Sequence, residues 1–290
     1  MADPEAARSM EGKVCLVTGA TAGIGLVTAL ELARQGARVI GVGRSPERCA
    51  EAARQIREQT GTSAVEFLVA DLSSQAEVRR LAGQVKAATG RLDVLVNNAG
   101  LVRLEREVTV DGLEMTFALN HLAYFLLTSL LLDAVKASTP ARIVSVASAA
   151  HQGCKINFDD LQGETKYGPW RAYRQSKLAN ILFTLELARR LEGTGVTANA
   201  LHPGYVRTQI FRAESFTGWL LRRAAELFAI TPEEGAQTSI YLAASPDVEG
   251  QTGQYFVRRK PASSSPESQD EATARRLWEV SARLTGLSPS

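Results

Sequence analysis

Short, continuous apolar runs alternating with stretches of helical spacing leave this chain few folds to adopt. Lys13–Thr18 ends at Gly19, Ala37–Val42 leads into Gly43-Arg44, Val65–Ala70 ends at Asp71, and Leu92–Val96 ends in Asn97-Asn98-Ala99-Gly100. Ala141–Val146 and Val196–Leu201 follow, and Tyr255–Val257 reads as a last, short run. Between them lie helical patterns such as Gly23–Gln35, with apolar Ile24, Val27, Leu30 and Leu32 on one side and Gly36 placed to end it. Ser45-Pro46-Glu47 opens the next helix, Ser45 as its cap and Pro46 in its first turn. Runs that are apolar throughout are strands buried on both faces, the condition of a parallel sheet covered by helices. The expected architecture is an α/β, doubly wound parallel sheet of about seven strands with helices on both faces.

A chain of 290 residues suits one such domain with a sizeable core. Residues 1–11 read as a flexible N-terminal segment, 12–257 as the Rossmann-type domain, and 258–290 as a C-terminal loop and helix packed on it. In that last part Arg258–Gln269 is expected to be loop and Glu271–Leu284 helix. No segment approaches the ~20 apolar residues of a membrane span, and no secretory signal is visible, so the expectation is a soluble, cytoplasmic protein. The 33 basic and 31 acidic side chains leave a net charge of +2, without the basic stripe of a nucleic-acid partner. Arg222-Arg223 and Arg258-Arg259-Lys260 read as solvated surface. Cys15, Cys49 and Cys154 form no C-x-x-C, and His121, His151 and His202 have no metal-ligand spacing, so neither disulfides nor a metal is expected.

The turn after the first run holds Gly19, Thr21, Gly23, Ile24 and Gly25, where glycines let backbone approach a pyrophosphate and aim helix N–H groups at it. The end of the second run speaks to which dinucleotide binds. An acid there would hold a ribose 2′-hydroxyl, but this chain has Gly43-Arg44, and a guanidinium suits a 2′-phosphate. NADP(H) is therefore preferred over NAD(H). Asp71, with Leu72, follows the third run; its carboxylate suits an adenine amino group or the cap of the next helix.

Tyr173 and Lys177 stand one helical turn apart on one face. A tyrosine of unperturbed pKa about 10 is a poor acid at neutral pH, and an adjacent ammonium favours its phenolate. Paired with a nucleotide turn, this arrangement suits coupled movement of a proton and a hydride.

Taken in order, Thr18–Gly25, Asp71, Asn97–Gly100, Asn120, Ser148, Tyr173 with Lys177, and Pro203-Gly204 resemble the motifs of the short-chain dehydrogenase/reductase family over about residues 10–255. The resemblance implies that Tyr173 gives a proton to the substrate oxygen as hydride arrives from the nicotinamide. Lys177 would lower the Tyr173 pKa and hold the nicotinamide ribose, Ser148 would bond the same substrate oxygen, and Asn120 would hold a water linked to Lys177. Ser148 is chosen over Ser145 because it follows the strand. Asn98, Ala99, Gly100, Pro203, Gly204, Val206 and Thr208 would complete the cofactor site, Thr208 at the carboxamide.

Ser148 and Tyr173 are separated by more residues than in the commonest members. The extra segment Lys155–Tyr167, with Asn120-His121-Leu122, Ser176-Lys177-Leu178-Ala179-Asn180 and Ala274-Arg275-Arg276-Leu277-Trp278, resembles the retinol dehydrogenase-like branch. Membrane-bound members of that branch begin with a hydrophobic anchor; none is visible here, so any membrane contact is expected to be peripheral. Phe211, Phe216 and Trp219, followed by Leu220, Leu221, Leu227 and Phe228, suit either an amphipathic core helix or a lid at about 205–230 over a hydrophobic small-molecule substrate. The helix Ser176–Leu191 has more apolar residues than one buried stripe needs, which suggests a homodimer face. Two other readings fit the same fold. A silent dinucleotide-binding sensor would lack Tyr, Lys or Ser, all present here. A sugar-nucleotide epimerase would have another glycine spacing and a larger C-terminal domain.

Overall fold

Residues 9–204 and 230–288 are described by the computed structural model, and in them the apolar runs form one eight-stranded sheet of order β3-β2-β1-β4-β5-β6-β7-β8. The strands are β1 (Val14–Thr18), β2 (Arg38–Gly43), β3 (Val65–Val69), β4 (Val94–Asn97), β5 (Ala141–Val146), β6 (Val196–His202), β7 (Tyr255–Val257) and β8 (Lys260–Pro261). All pair in parallel except β8, which returns antiparallel to β7. The chain winds outward from β1 to β3 and then restarts on the other side of β1 with β4. Connections therefore leave β1 and β4 in opposite directions and open a crevice at their C-terminal ends, where doubly wound sheets take ligands.

The described helices are α1 (Gly23–Arg34), α2 (Pro46–Thr60), α3 (Gln75–Thr89), α4 (Met115–Lys136), α5 (Pro169–Arg190), α6 (Pro232–Ala244) and α7 (Glu271–Leu284). Alternate residues of β1 feed opposite layers, as a pleated strand must. Leu16 joins Leu81, Leu95, Leu126 and Phe183 on one face, while Cys15 and Val17 join Leu32, Ile56 and Leu242 on the other. Each such fully buried Leu or Phe contributes about 1.5–3 kcal/mol against exposure. All three cysteines are buried free thiols.

Four sequence expectations need correction. Arg258–Gln269 is not all loop: Arg258 and Arg259 take left-handed φ values of 50° and 63°, closing a tight hairpin that adds β8, and a 3₁₀ turn follows at Pro266–Gln269. That turn normally calls for Asn or Gly, so arginines hid it. Second, among the described residues one helix is long and apolar enough to cross a membrane: α4, of 22 residues, whose apolar window is 72% buried within the fold as a core helix. Third, order begins before residue 12, since Met10 is buried and its N–H donates to the Gln35 carbonyl. Fourth, the helix expected to run from Ser176 starts at Pro169, with Pro169 in its first turn, so the expected Tyr173 and Lys177 pair lies on one continuous helix.

The apolar surplus on α5 is used inside the chain. Every residue from Gln175 to Ala188 is buried, and α7 lies across the helix. The Trp278 ring of α7 stacks on Phe183 at 5.9 Å and meets Phe125 edge-on at 4.9 Å, with the Arg190 guanidinium 4.3 Å above it. A homodimer would need another face.

Candidate active site

The nucleotide turn is stapled to the end of β4 by one hydroxyl. Thr18 Oγ1 accepts from the Asn98 and Ala99 amides at 2.8 and 3.0 Å and donates to the Val96 carbonyl. Asn98 Nδ2 returns the contact, donating to the Thr18 carbonyl at 2.8 Å. Asn98 and Ala99 thus lie directly against Gly19, with Asn98 shaping the turn. Gly25 tolerates no side chain: a Cβ there would lie 2.3 Å from the Gly19 carbonyl oxygen and 2.4 Å from Asn98 Nδ2. α1 begins at Ala22 without a side-chain cap, whereas Ser45 and Ser74 cap α2 and α3. Its first-turn N–H groups, Ile24 and Gly25 among them, remain open to an anion.

At the end of β2, a Cβ on Gly43 would collide with Thr21 Cγ2 at 2.3 Å. Any side chain there would have to displace the Thr21 methyl and the Cys49 thiol. Arg44, next along, is exposed and pairs with no carboxylate among the described residues. Asp71 does not cap α3, a role Ser74 fills; its Oδ1 accepts from the Ser73 amide and hydroxyl at 2.9 and 2.8 Å. Buried Leu72 follows it.

Across the crevice, α5 presents Tyr173 and Lys177 together. Lys177 is buried, its Nζ 5.7 Å from the Tyr173 ring centroid and donating at 3.1 Å to the Val146 carbonyl at the end of β5. Burial pulls its pKa down to about 8. A Cβ on Gly100 would sit 3.3 Å from Asn120 Oδ1 and 3.5 Å from Lys177 Nζ, which shows how closely these three positions converge.

Asn120 lies in a widened turn of α4, Ala118–Leu122, closed by an Ala123 amide to Ala118 carbonyl bond. Such a turn interrupts the regular helical ladder and is frequent at functional sites. The Asn120 amide pairs with both backbone groups of Leu101, at 2.8 and 2.9 Å, and donates to Ser176 Oγ at 3.0 Å. Ser176 passes the contact on by donating to the Tyr173 carbonyl at 2.8 Å. Asn120 is thus an anchor between α4, the β4 loop and α5.

Ser145 remains in the sheet opposite Asn97 and Ala200, while Ser148 stands two residues past β5 with extended backbone. Its Oγ accepts from the Ala150 amide at 3.2 Å. Pro203 and Gly204 continue directly from β6 on the same edge. Val206, Thr208, Phe211, Phe216 and Trp219, with the expected lid, lie outside the described residues.

Sequence reasoning missed the Thr18 hydroxyl, Ser176 and Trp170. The first two had a signal, standing at the end of a strand before glycine and inside the Tyr-Arg-Gln-Ser-Lys run. Trp170 is half exposed and stacks flat on Tyr173, centroids 5.5 Å apart and planes 8° apart. Only the helix start at Pro169 makes that one-turn spacing meaningful.

A family model described as short chain dehydrogenase matches residues 13–217. Human retinol dehydrogenase 13 is 46% identical over 285 residues, covering 96% of this chain and 86% of its own. Among solved structures, an uncharacterised protein from Mycobacterium Paratuberculosis matches with TM-score 0.79 and 36% identity, over 97% of this chain and 96% of that one. The Pseudomonas aeruginosa RhlG/NADP active-site complex matches with TM-score 0.70 and 28% identity, over 92% and 99%.

Proposed function

The chain belongs to the short-chain dehydrogenase family of oxidoreductases, which act on alcohol and carbonyl groups, and from that premise we propose that it transfers hydride between NADP(H) and a hydrophobic alcohol or carbonyl compound. The observation that carries the reading is the buried Lys177 ammonium held one turn from Tyr173 at the crevice between β1 and β4.

The residues present fit a nicotinamide dinucleotide. The uncapped start of α1 would take the pyrophosphate, and Gly25 lets that helix pack directly against Gly19 and Asn98. Asn98, Ala99 and Gly100 would line the crevice, and Pro203 and Gly204 its far side. The bound dinucleotide supplies or accepts the hydride.

In the reducing direction Tyr173 gives its hydroxyl proton to the carbonyl oxygen, and Ser148 Oγ donates to the same oxygen as charge builds there. Lys177, still charged, stabilises the phenolate left behind. Asn120 keeps the Leu101 loop and α5 in register, so that Lys177 and Tyr173 stay at their separation. In the oxidising direction Tyr173 phenolate takes the alcohol proton instead.

The NADP(H) preference rests on Gly43, which offers no carboxylate to hold a ribose 2′-hydroxyl and is packed against Thr21, and on exposed Arg44 beside it. Arg44→Ala should raise the Kd for NADPH about tenfold or more while changing NADH little. Equal losses for the two dinucleotides in parallel fluorescence titrations would remove the 2′-phosphate contact from the reading.

The proposed substrate is apolar, of retinoid or steroid character. Exposed Trp170 continues the ring of Tyr173 with a flat apolar face, and the run Phe211, Phe216, Trp219 adds aromatic residues to the segment after Gly204. Turnover of retinal, a ketosteroid and small polar aldehydes, followed at the reduced-nicotinamide absorbance, tests this. Preference for the first two supports it, and activity confined to small polar aldehydes defeats it.

A further inference from the structure

We propose that His151 is a positioning residue for Ser148, and that through it the C-terminal segment helps to place the serine hydroxyl; the proposal rests on the hydride-transfer reading above.

His151 ends the short 3₁₀ turn that follows Ser148 and is completely buried. Its Nδ1 lies 2.6 Å from the Ser148 carbonyl oxygen, and its Nε2 lies 3.0 Å from the backbone nitrogen of Ser265. An amide N–H can only donate, so Nε2 must offer a lone pair and the single ring proton must sit on Nδ1. That proton has one use, the Ser148 carbonyl. Burial also holds the ring's pKa below the ordinary histidine value, consistent with a neutral imidazole. One ring thus fixes its own tautomer and ties the Ser148 carbonyl to a backbone amide 114 positions beyond the histidine.

The effect on Ser148 is local and strong. Its carbonyl also accepts from the His151 amide at 3.3 Å, so two donors hold the peptide plane that follows the serine. Fixing that plane fixes the extended backbone, φ −165° and ψ 154°, which carries Oγ off the sheet edge. The imidazole itself cannot swing, because the Tyr255 ring meets it edge-on at 5.2 Å. On the other side, Ser265 is tied into the Pro266–Gln269 turn by the Ser268 amide at 3.0 Å, and α7 follows directly. No step of the chemistry needs His151 to touch substrate. It acts through Ser148.

Two near-isosteric variants separate the ring's two contacts. In His151→Asn the amide NH₂ falls near Nδ1 and can keep the bond to Ser148. In His151→Gln the amide oxygen reaches toward Nε2 and keeps only Ser265. With carbonyl reduction as the assay, H151N should retain kcat within about threefold, while H151Q should lose about tenfold or more, with KM for NADPH unchanged in both. Combining H151Q with Ser148→Ala should add little to the loss of S148A alone, because the histidine works through that serine. Imidazole ¹⁵N NMR of the wild type should show Nδ1 protonated and Nε2 bare.

Equal kcat losses in H151N and H151Q, or a double variant whose losses multiply, would reduce His151 to a packing residue. An Nε2-protonated ring would overturn the bond pattern itself. A wild-type protein that binds NADPH yet turns over no carbonyl or alcohol would instead defeat the hydride-transfer reading, and this proposal with it.

Discussion

Tyr173→Phe should lower kcat by about a thousandfold or more while changing the Kd for NADPH by no more than about threefold. The phenol is the proton donor in the proposed chemistry, and the change removes the one oxygen that carries that proton. The structure should survive the change. Tyr173 is only partly buried, and its ring keeps the flat stack on Trp170 with phenylalanine in place. Ser176 bonds the Tyr173 backbone carbonyl rather than its side chain, so the chain of contacts from Asn120 is also retained. Stopped-flow single turnover with NADPH and the best carbonyl substrate, beside a fluorescence titration of NADPH, reads both quantities. Retention of a tenth or more of the rate would assign the proton to another group. Loss of NADPH binding in step with the rate would mark the change as damage to the fold.

What the sequence made legible is the part governed by short-range rules. The strands were visible because a parallel strand buried on both faces must be apolar nearly throughout, as β1 is from Val14 to Val17. The glycine turn was visible because the close approach at Gly25 excludes any other residue. Tyr173 and Lys177 were visible because helical spacing alone puts them together.

Less legible was whatever depends on a partner far along the chain. The Thr18 hydroxyl is an ordinary strand-end threonine until Asn98 and Ala99, some eighty positions away, donate to it. The surplus apolar face of α5 suggested a second subunit because nothing local announces that Trp278 will return to cover it. His151 looked like one of three scattered histidines for the same reason, since its partner Ser265 lies in a stretch whose composition reads as loop. Asn120 was picked by motif order, but the turn that holds it depends on the distant Leu101 and Ser176 contacts, which periodicity does not encode.

Lys177→Met should abolish activity at neutral pH yet leave the protein at least as stable, a split that follows from the lysine's position. Its pKa is about 8 in the folded protein against an ordinary 10.5, with burial as the cause. Below about pH 8 both folded and unfolded states carry the proton, and the folded state bears the whole cost of a buried ammonium. Between about 8 and 10.5 the unfolded chain binds the proton and the folded one does not, so this lysine's destabilising effect fades as pH rises. The difference in melting temperature should therefore favour K177M at pH 7 and shrink toward pH 10. The Val146 carbonyl that Lys177 leaves is still reached by Asn180 Nδ2 at 3.4 Å. Activity should follow the opposite course. In wild type, kcat/KM for NADPH, which reports the free enzyme, should be level below about pH 8 and fall above it as the ammonium is lost. In K177M the residual oxidising rate should climb only toward pH 10, where an unassisted tyrosine ionises. A wild-type profile flat from pH 7 to 9.5 would mean that Lys177 keeps its proton throughout. A K177M protein that melts well below wild type at pH 7 would make the lysine part of the scaffold rather than a charge the fold holds for chemistry.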